Sequence, residues 1–269
     1  MMNSEQKLIA AGIVIFIIAV AVTYGILNYL GYISLDLEED TDEPTLLRQE
    51  VLKDVKEYKM IRRIKQRDLI LTKENFTQLS DYQKYVTPNN ETVRLYLTSN
   101  AITSVQEAYA SAVNWIWVSD SVLHGKLEHW LMPAEFISDT PTDPDNPIFG
   151  SMVSDCESQA YTLVSILEAL GTPKTDVRVV VGLVDFEGTT GGHAWVEVYQ
   201  NGNWFELEAT SGPYWDEDDL ELVESNGFPF NYFKTHPYPV EEYWAYFNDI
   251  YYYNPVTGLK NPNLPIHWL

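Results

Sequence analysis

The 269 residues are 45% hydrophobic and 13% aromatic, which supplies a core for one ordinary domain and excludes extended disorder. Seventeen basic residues against 39 acidic ones leave a formal charge of -22, a field that repels polyanions and excludes nucleic-acid binding. The single cysteine, Cys156, excludes an internal disulfide and leaves its thiol as a small buried hydrophobe, an intermolecular link or a nucleophile.

Residues 8 to 35 carry no charged side chain, and about 20 apolar residues suffice to cross the hydrocarbon core, so a transmembrane helix is expected over 8–31. The apolar stretch of a cleaved signal peptide is shorter, about 7 to 15 residues, and ends in a small-residue cleavage site that is not found here. Lys7 precedes the span, whereas Asp36, Glu38, Glu39, Asp40, Asp42 and Glu43 follow it before the first basic residue, Arg48. The positive-inside tendency therefore puts residues 1–7 in the cytoplasm and the remainder outside, anchored to the bilayer through 8–31. Two glycosylation sequons, at Asn75 and Asn90, agree with that orientation.

Residues 36–100 read as an acidic connector followed by a helical stalk or extension, because apolar residues recur at helical intervals over 45–71. The domain itself is expected over 101–269. A helix is predicted from about Ala101 to Val122, with Val105, Ala108, Ala112, Trp115 and Ile116 as its apolar stripe. Four prolines between Pro133 and Phe149 predict an irregular loop. The next helix is capped by Ser154 or Asp155, carries Leu163, Ile166, Leu167 and Leu170, and stops at Gly171 and Pro173. Strands are predicted at 177–184, 193–200 and 204–210, the last two joined by the hairpin signal Asn201-Gly202. From Gly212 onward the chain is rich in Tyr, Trp and Pro, shows few periodic elements, and is expected to wrap the core.

Cys156 falls in the first turn of its helix, where unpaired N–H groups and the helix dipole favour a thiolate. The two-residue turn pairs Gln200 with Asn203, so His193 and Glu208 project from one side of the hairpin on diagonal positions within side-chain reach. Cys156 as nucleophile, His193 as base and Glu208 as the carboxylate that fixes the imidazole form a possible triad. The Cys156 N–H is one candidate oxyanion donor and Trp130 a second. His124 and His129 stand five apart and do not stack on one helix face, and Asp216 to Asp219 lacks the spaced ligands of an EF-hand loop, so no metal or cofactor is expected. Trp195 and Trp204 are expected in the core; the Tyr251-Tyr252-Tyr253 cluster is core, substrate wall or partner surface.

The segments SDCESQAYTLVSILEALG, GGHAWVEV and NWFELEAT, in this order, resemble the motifs of the transglutaminase-like superfamily of papain-like cysteine enzymes: a Cys at a helix start, then HAW, then W-x-x-x-D-P-T. The resemblance covers roughly residues 130 to 212. It implies an α+β fold with the catalytic helix on a small antiparallel sheet, and it carries the nucleophile, base and carboxylate roles onto Cys156, His193 and Glu208. Glu208 stands where the family pattern has aspartate. The resulting expectation is an extracytoplasmic cysteine acyl-transfer enzyme acting on amide or peptide bonds of a protein, peptide or cell-envelope substrate. The rival expectation is an inactive domain of the same fold that binds protein or glycan at the cell surface.

Overall fold

The computed structural model describes residues 81–186, 188–230 and 239–269, so the expected membrane helix over 8–31 and the helical stretch 45–71 lie outside the described residues. Among the described residues no helix is long and apolar enough to cross a membrane. The architecture is α+β, as the resemblance implied.

Helix α1 spans Glu91–Ser99 and starts where Asn90 Oδ1 accepts the Thr92 N–H. Helix α2 spans Val105–Ala112 and is capped by Ser104. Here the single helix expected from Ala101 to Val122 breaks. The β-branched and aromatic run after Val113 leaves the helix, and strand β1 (Ile116–Trp117) pairs in parallel with β2 (Val153–Ser154) and β6 (Tyr214–Asp216). A short helix α3 (Asp120–His124) follows, capped by Ser119. Most of the expected stripe is nonetheless interior: Ala108, Ala112, Trp115 and Ile116 are buried, and Val105 is half-buried against the same core. A close approach fixes the break, since a Cβ on Gly212 would sit 1.9 Å from the Val113 carbonyl oxygen. Gly212→Ala is therefore expected to cost more than about 3 kcal/mol, read as a lower urea midpoint with an unchanged slope.

The run expected as an irregular loop contains a short helix α4 (Pro133–Ser138) before its turns. Helix α5 spans Cys156–Leu170 and is buried along nearly its whole length. Two of its buried polar residues are held by specific bonds. Gln159 Nε2 donates to the carbonyls of Ile116 and Ser154, and the Ser165 hydroxyl donates to the Tyr161 carbonyl while accepting the Thr87 N–H. Gly171 ends the helix at φ +107°, as its position after the last apolar residue predicted.

Strands β3 (Val177–Phe186), β4 (Thr189–Gln200) and β5 (Asn203–Leu207) are the three the sequence predicts, and Gln200 pairs with Asn203 in the expected register. Beyond Leu207 the third strand gives way to a 3-10 turn, Ala209–Ser211. The region from Gly212 is more than a wrap: it supplies β6, β7 (Glu221–Val223), β8 (Val240–Phe247) and β9 (Tyr252–Tyr253). The main sheet has the order β5-β4-β3-β8-β9, with every pairing antiparallel, so β8 lies beside β3.

Alternation along β3 and β4 sorts the two faces of the sheet. Val177, Val179, Val181, Ala194, Val196 and Val198 meet α5 in the larger core. Val180, Val184 and Trp195 face the other way and are covered by Tyr246 and Trp268. On that outer face the Arg178 guanidinium pairs with Glu197 at 2.6 Å and lies between the rings of Trp204, 3.8 Å away, and Tyr246, 3.9 Å away. The turn Ile266–Trp268 is tied down there, with Trp268 Nε1 donating to the Thr175 carbonyl and Trp204 Nε1 to the His267 carbonyl.

Candidate active site

Cys156 opens α5 as its first helical residue and is 4% exposed. Asp155 occupies the N-cap position in extended conformation, but its carboxylate makes no capping bond to the helix. The Cys156 thiol donates to Glu157 Oε2 at 3.4 Å.

His193 lies on β4, one residue from Ala194, which packs toward α5, and opposite Gly182 of β3. A Cβ at Gly182 would lie 2.3 Å from the Glu242 carbonyl oxygen and 3.3 Å from the Trp195 ring, so glycine makes room for β8 and for the indole that stacks on His193. His193 Nε2 stands 2.5 Å from Glu208 Oε2, and both side chains are buried. The other carboxylate oxygen, Oε1, accepts the Thr210 N–H at 3.0 Å and the Thr210 hydroxyl at 2.7 Å. Glu208 follows β5 and caps the Ala209–Ser211 turn, and its carbonyl accepts the Ser211 hydroxyl at 2.9 Å. Helix α5 packs on β4 and on this same turn. Two of the three expected triad residues are thus joined directly, and the third heads α5, which packs on the Ala194 face of β4 and on this turn, whereas His193 shares the Trp195 face.

Beside the cysteine is a feature the sequence reading missed. Asp120, Asp155 and Glu157 are buried and each directs one carboxylate oxygen to a common point, all within 4.8 Å of one another. Among the described residues no donor reaches Asp120 Oδ1 or Glu157 Oε1. Acceptors facing acceptors away from water need a shared proton or a cation between them. Burial above all pushes the Asp120 carboxyl up to about 7, although the His129 N–H donates to its Oδ2 and pulls the other way. Glu157 is raised by its burial and then by Asp155 and Asp120, and neighbouring Glu128 is pushed up to about 10 by burial and by Glu157. Oxygen-only ligands suit a hard cation, and calcium bonds of about 2.3–2.6 Å can span this cluster. The signal in the sequence was the pair of acids flanking Cys156; Asp120 arrives from a helix that only the fold brings near.

The remaining candidates have other surroundings. Trp130 directs its ring N–H to the Glu128 carboxylate and packs among Tyr82, Tyr85, Tyr161 and Phe247. His124 and His129 stack edge to face, with centroids 4.4 Å apart. Asp216 Oδ1 accepts the N–H groups of Asp218 and Asp219 in the turn between β6 and β7, while Glu217 accepts the Ser119 hydroxyl. Tyr252 is fully buried in the core, while Tyr251 and Tyr253 are half-buried and pack on Trp268 and Tyr246.

No curated protein matches the sequence. Among solved structures the chain is similar to Legionella pneumophila LapG in a calcium-bound form, at 13% identity and a TM-score of 0.38, covering 70% of this chain and 82% of that one. It is similar also to the EGTA-treated form of that protein, at 14% identity and a TM-score of 0.38, covering 72% and 91%. Residues 98–209, which hold the helix-borne cysteine and the hairpin histidine, match the model of the transglutaminase-like superfamily, so this stretch of the chain is a transglutaminase-like domain.

Proposed function

We propose that the chain is a cysteine acyl-transfer enzyme whose triad is Cys156, His193 and Glu208. The observation that carries this reading is the 2.5 Å contact between His193 Nε2 and Glu208 Oε2 inside the protein, which commits one ring nitrogen to the carboxylate; in this reading the thiol proton passes from Cys156 to Nδ1. His193 Nδ1 takes that proton, and the thiolate attacks the carbonyl carbon of an amide. The C–N bond then breaks, the imidazolium gives its proton to the leaving amine, and a thioester remains on Cys156. Water or a second amine releases the acyl group. The Cys156 N–H at the start of α5 donates to the developing oxyanion, whereas the ring N–H of Trp130, expected as a second donor, is taken by Glu128.

A hard divalent cation, calcium before magnesium, belongs to this reading. Asp120, Asp155 and Glu157 would hold it, and it would supply the positive charge that the buried carboxylates beside the nucleophile lack. The residue order of the chain, with Lys7 before the apolar span and six acids after it, supports a single-pass protein whose catalytic domain faces away from the cytoplasm. Its substrate is then a protein, peptide or cell-envelope amide.

The acyl-enzyme is the test. Incubated with an activated ester such as p-nitrophenyl acetate, the protein is expected to release a burst of nitrophenol and gain one hydroxylamine-labile acetyl group, seen by intact mass on Cys156 and absent in Cys156→Ala. No adduct on the wild type would leave the binding-module reading in its place.

A further inference from the structure

Glu208 holds two jobs on two oxygens. Oε2 meets His193, while Oε1 takes both the N–H and the hydroxyl of Thr210, a residue that is itself 6% exposed. The carboxylate can serve both partners because Glu208 stands just past the end of β5 and its side chain folds back over the turn it caps. The main chain there is gripped as well, since the Glu208 carbonyl accepts the N–H and the hydroxyl of Ser211, at 3.2 and 2.9 Å. With the backbone fixed, arm length decides what the carboxylate reaches. A side chain one methylene shorter could cap the turn by a local bond to the residue two further on, or reach toward the imidazole across the hairpin, but would fall short of doing both.

We infer that Thr210 is a positioning residue for His193, and that the Thr210 hydroxyl is what makes glutamate, where the family pattern has aspartate, the working residue at 208. The hydroxyl donates its proton to Oε1 and keeps it. It fixes the carboxylate plane so that Oε2 stays on His193 Nε2 and the imidazolium, once formed, has its counter-charge in place. The inference rests on the triad reading above. A role confined to capping the turn needs only the Thr210 N–H, which every side chain at 210 except proline retains.

The rate of acetyl transfer from p-nitrophenyl acetate to Cys156 in the full-length protein, compared at pH 7 and one fixed free calcium concentration, separates the two roles. Wild type is expected to acylate at least about tenfold faster than His193→Ala; equal rates would overturn the triad reading itself. Given that difference, Thr210→Val should slow acylation by roughly tenfold, and Thr210→Ser should restore it to within about threefold of wild type. Glu208→Asp should lose at least as much as Thr210→Val despite keeping its charge. A Thr210→Val rate matching wild type, with only its melting temperature lowered, would reduce Thr210 to a cap. A Glu208→Asp variant equal to or faster than wild type would overturn the arm-length claim, and it does so even if the valine variant fails to fold.

Discussion

Replacing His193 with alanine is expected to slow iodoacetamide alkylation of Cys156 at pH 6 by roughly a hundredfold, with a much smaller difference at pH 9. An ordinary thiol with a pKa of about 8.5 is only about 0.3% thiolate at pH 6, whereas a thiolate stabilised by an imidazolium is largely ionised there. The structural basis is the fixed ring: His193 is held through Nε2 by Glu208, which is held in turn by Thr210. Glu208→Gln keeps a similar shape but removes the counter-charge, so its inflection should fall between those of wild type and the alanine variant. Equal, slow rates in wild type and His193→Ala at pH 6 would mean that the imidazole does not activate the thiol.

Calcium is expected to raise the melting temperature by about 5 to 11 °C at 1 mM free ion, for a dissociation constant on the order of 10 µM. The reason is electrostatic. Asp120, Asp155 and Glu157 gather their oxygens within 4.8 Å in a buried place, with no donor among the described residues on Asp120 Oδ1 or Glu157 Oε1, and a divalent ion would turn that repulsion into coordination. Asp120→Asn separates this from a general salt effect. In chelator, where burial already pushes the Asp120 carboxyl up to about 7, the asparagine variant should be at least as stable as wild type at pH 8. In calcium it should lose most of the gain. A wild type indifferent to 1 mM calcium, or a variant that responds equally, would mean that protons rather than a cation satisfy the cluster.

The parts of the fold that could be read in advance are those whose signals are local. The Asn201-Gly202 turn set the hairpin register as far as Val196 and Leu207, but the ladder ends there and Glu208 meets His193 from the turn that follows rather than from a strand diagonal. Gly171 and the apolar spacing set helix α5. The reading failed where burial erased periodicity or where distant segments decide. From Trp244 to Phe247 every residue of β8 is buried, so no alternation marks it as a strand. The stretch after Ala112 kept its helical spacing of apolar residues but was drawn into β1 by partners at Val153 and Tyr214, which a local window cannot contain. The carboxylate cluster depends on the same long-range placement, because Asp120 follows β1.

The position of β8 sets the timing of the molecule's own assembly. Val179 of β3 pairs with Phe247, 68 residues further along, so the strand beside the histidine hairpin keeps an open edge until nearly the whole chain has been made. At about 5 to 20 residues per second of synthesis this gap lasts several seconds, during which β3 exposes unpaired backbone and valine side chains bound for the interior. A fragment cut at residue 209, where the superfamily match stops, would keep that edge permanently. A nascent chain therefore carries its complete chemical motif well before it has a sheet to hold the motif in shape, and reactivity of the thiol becomes a property gained late, once residues near 247 have emerged.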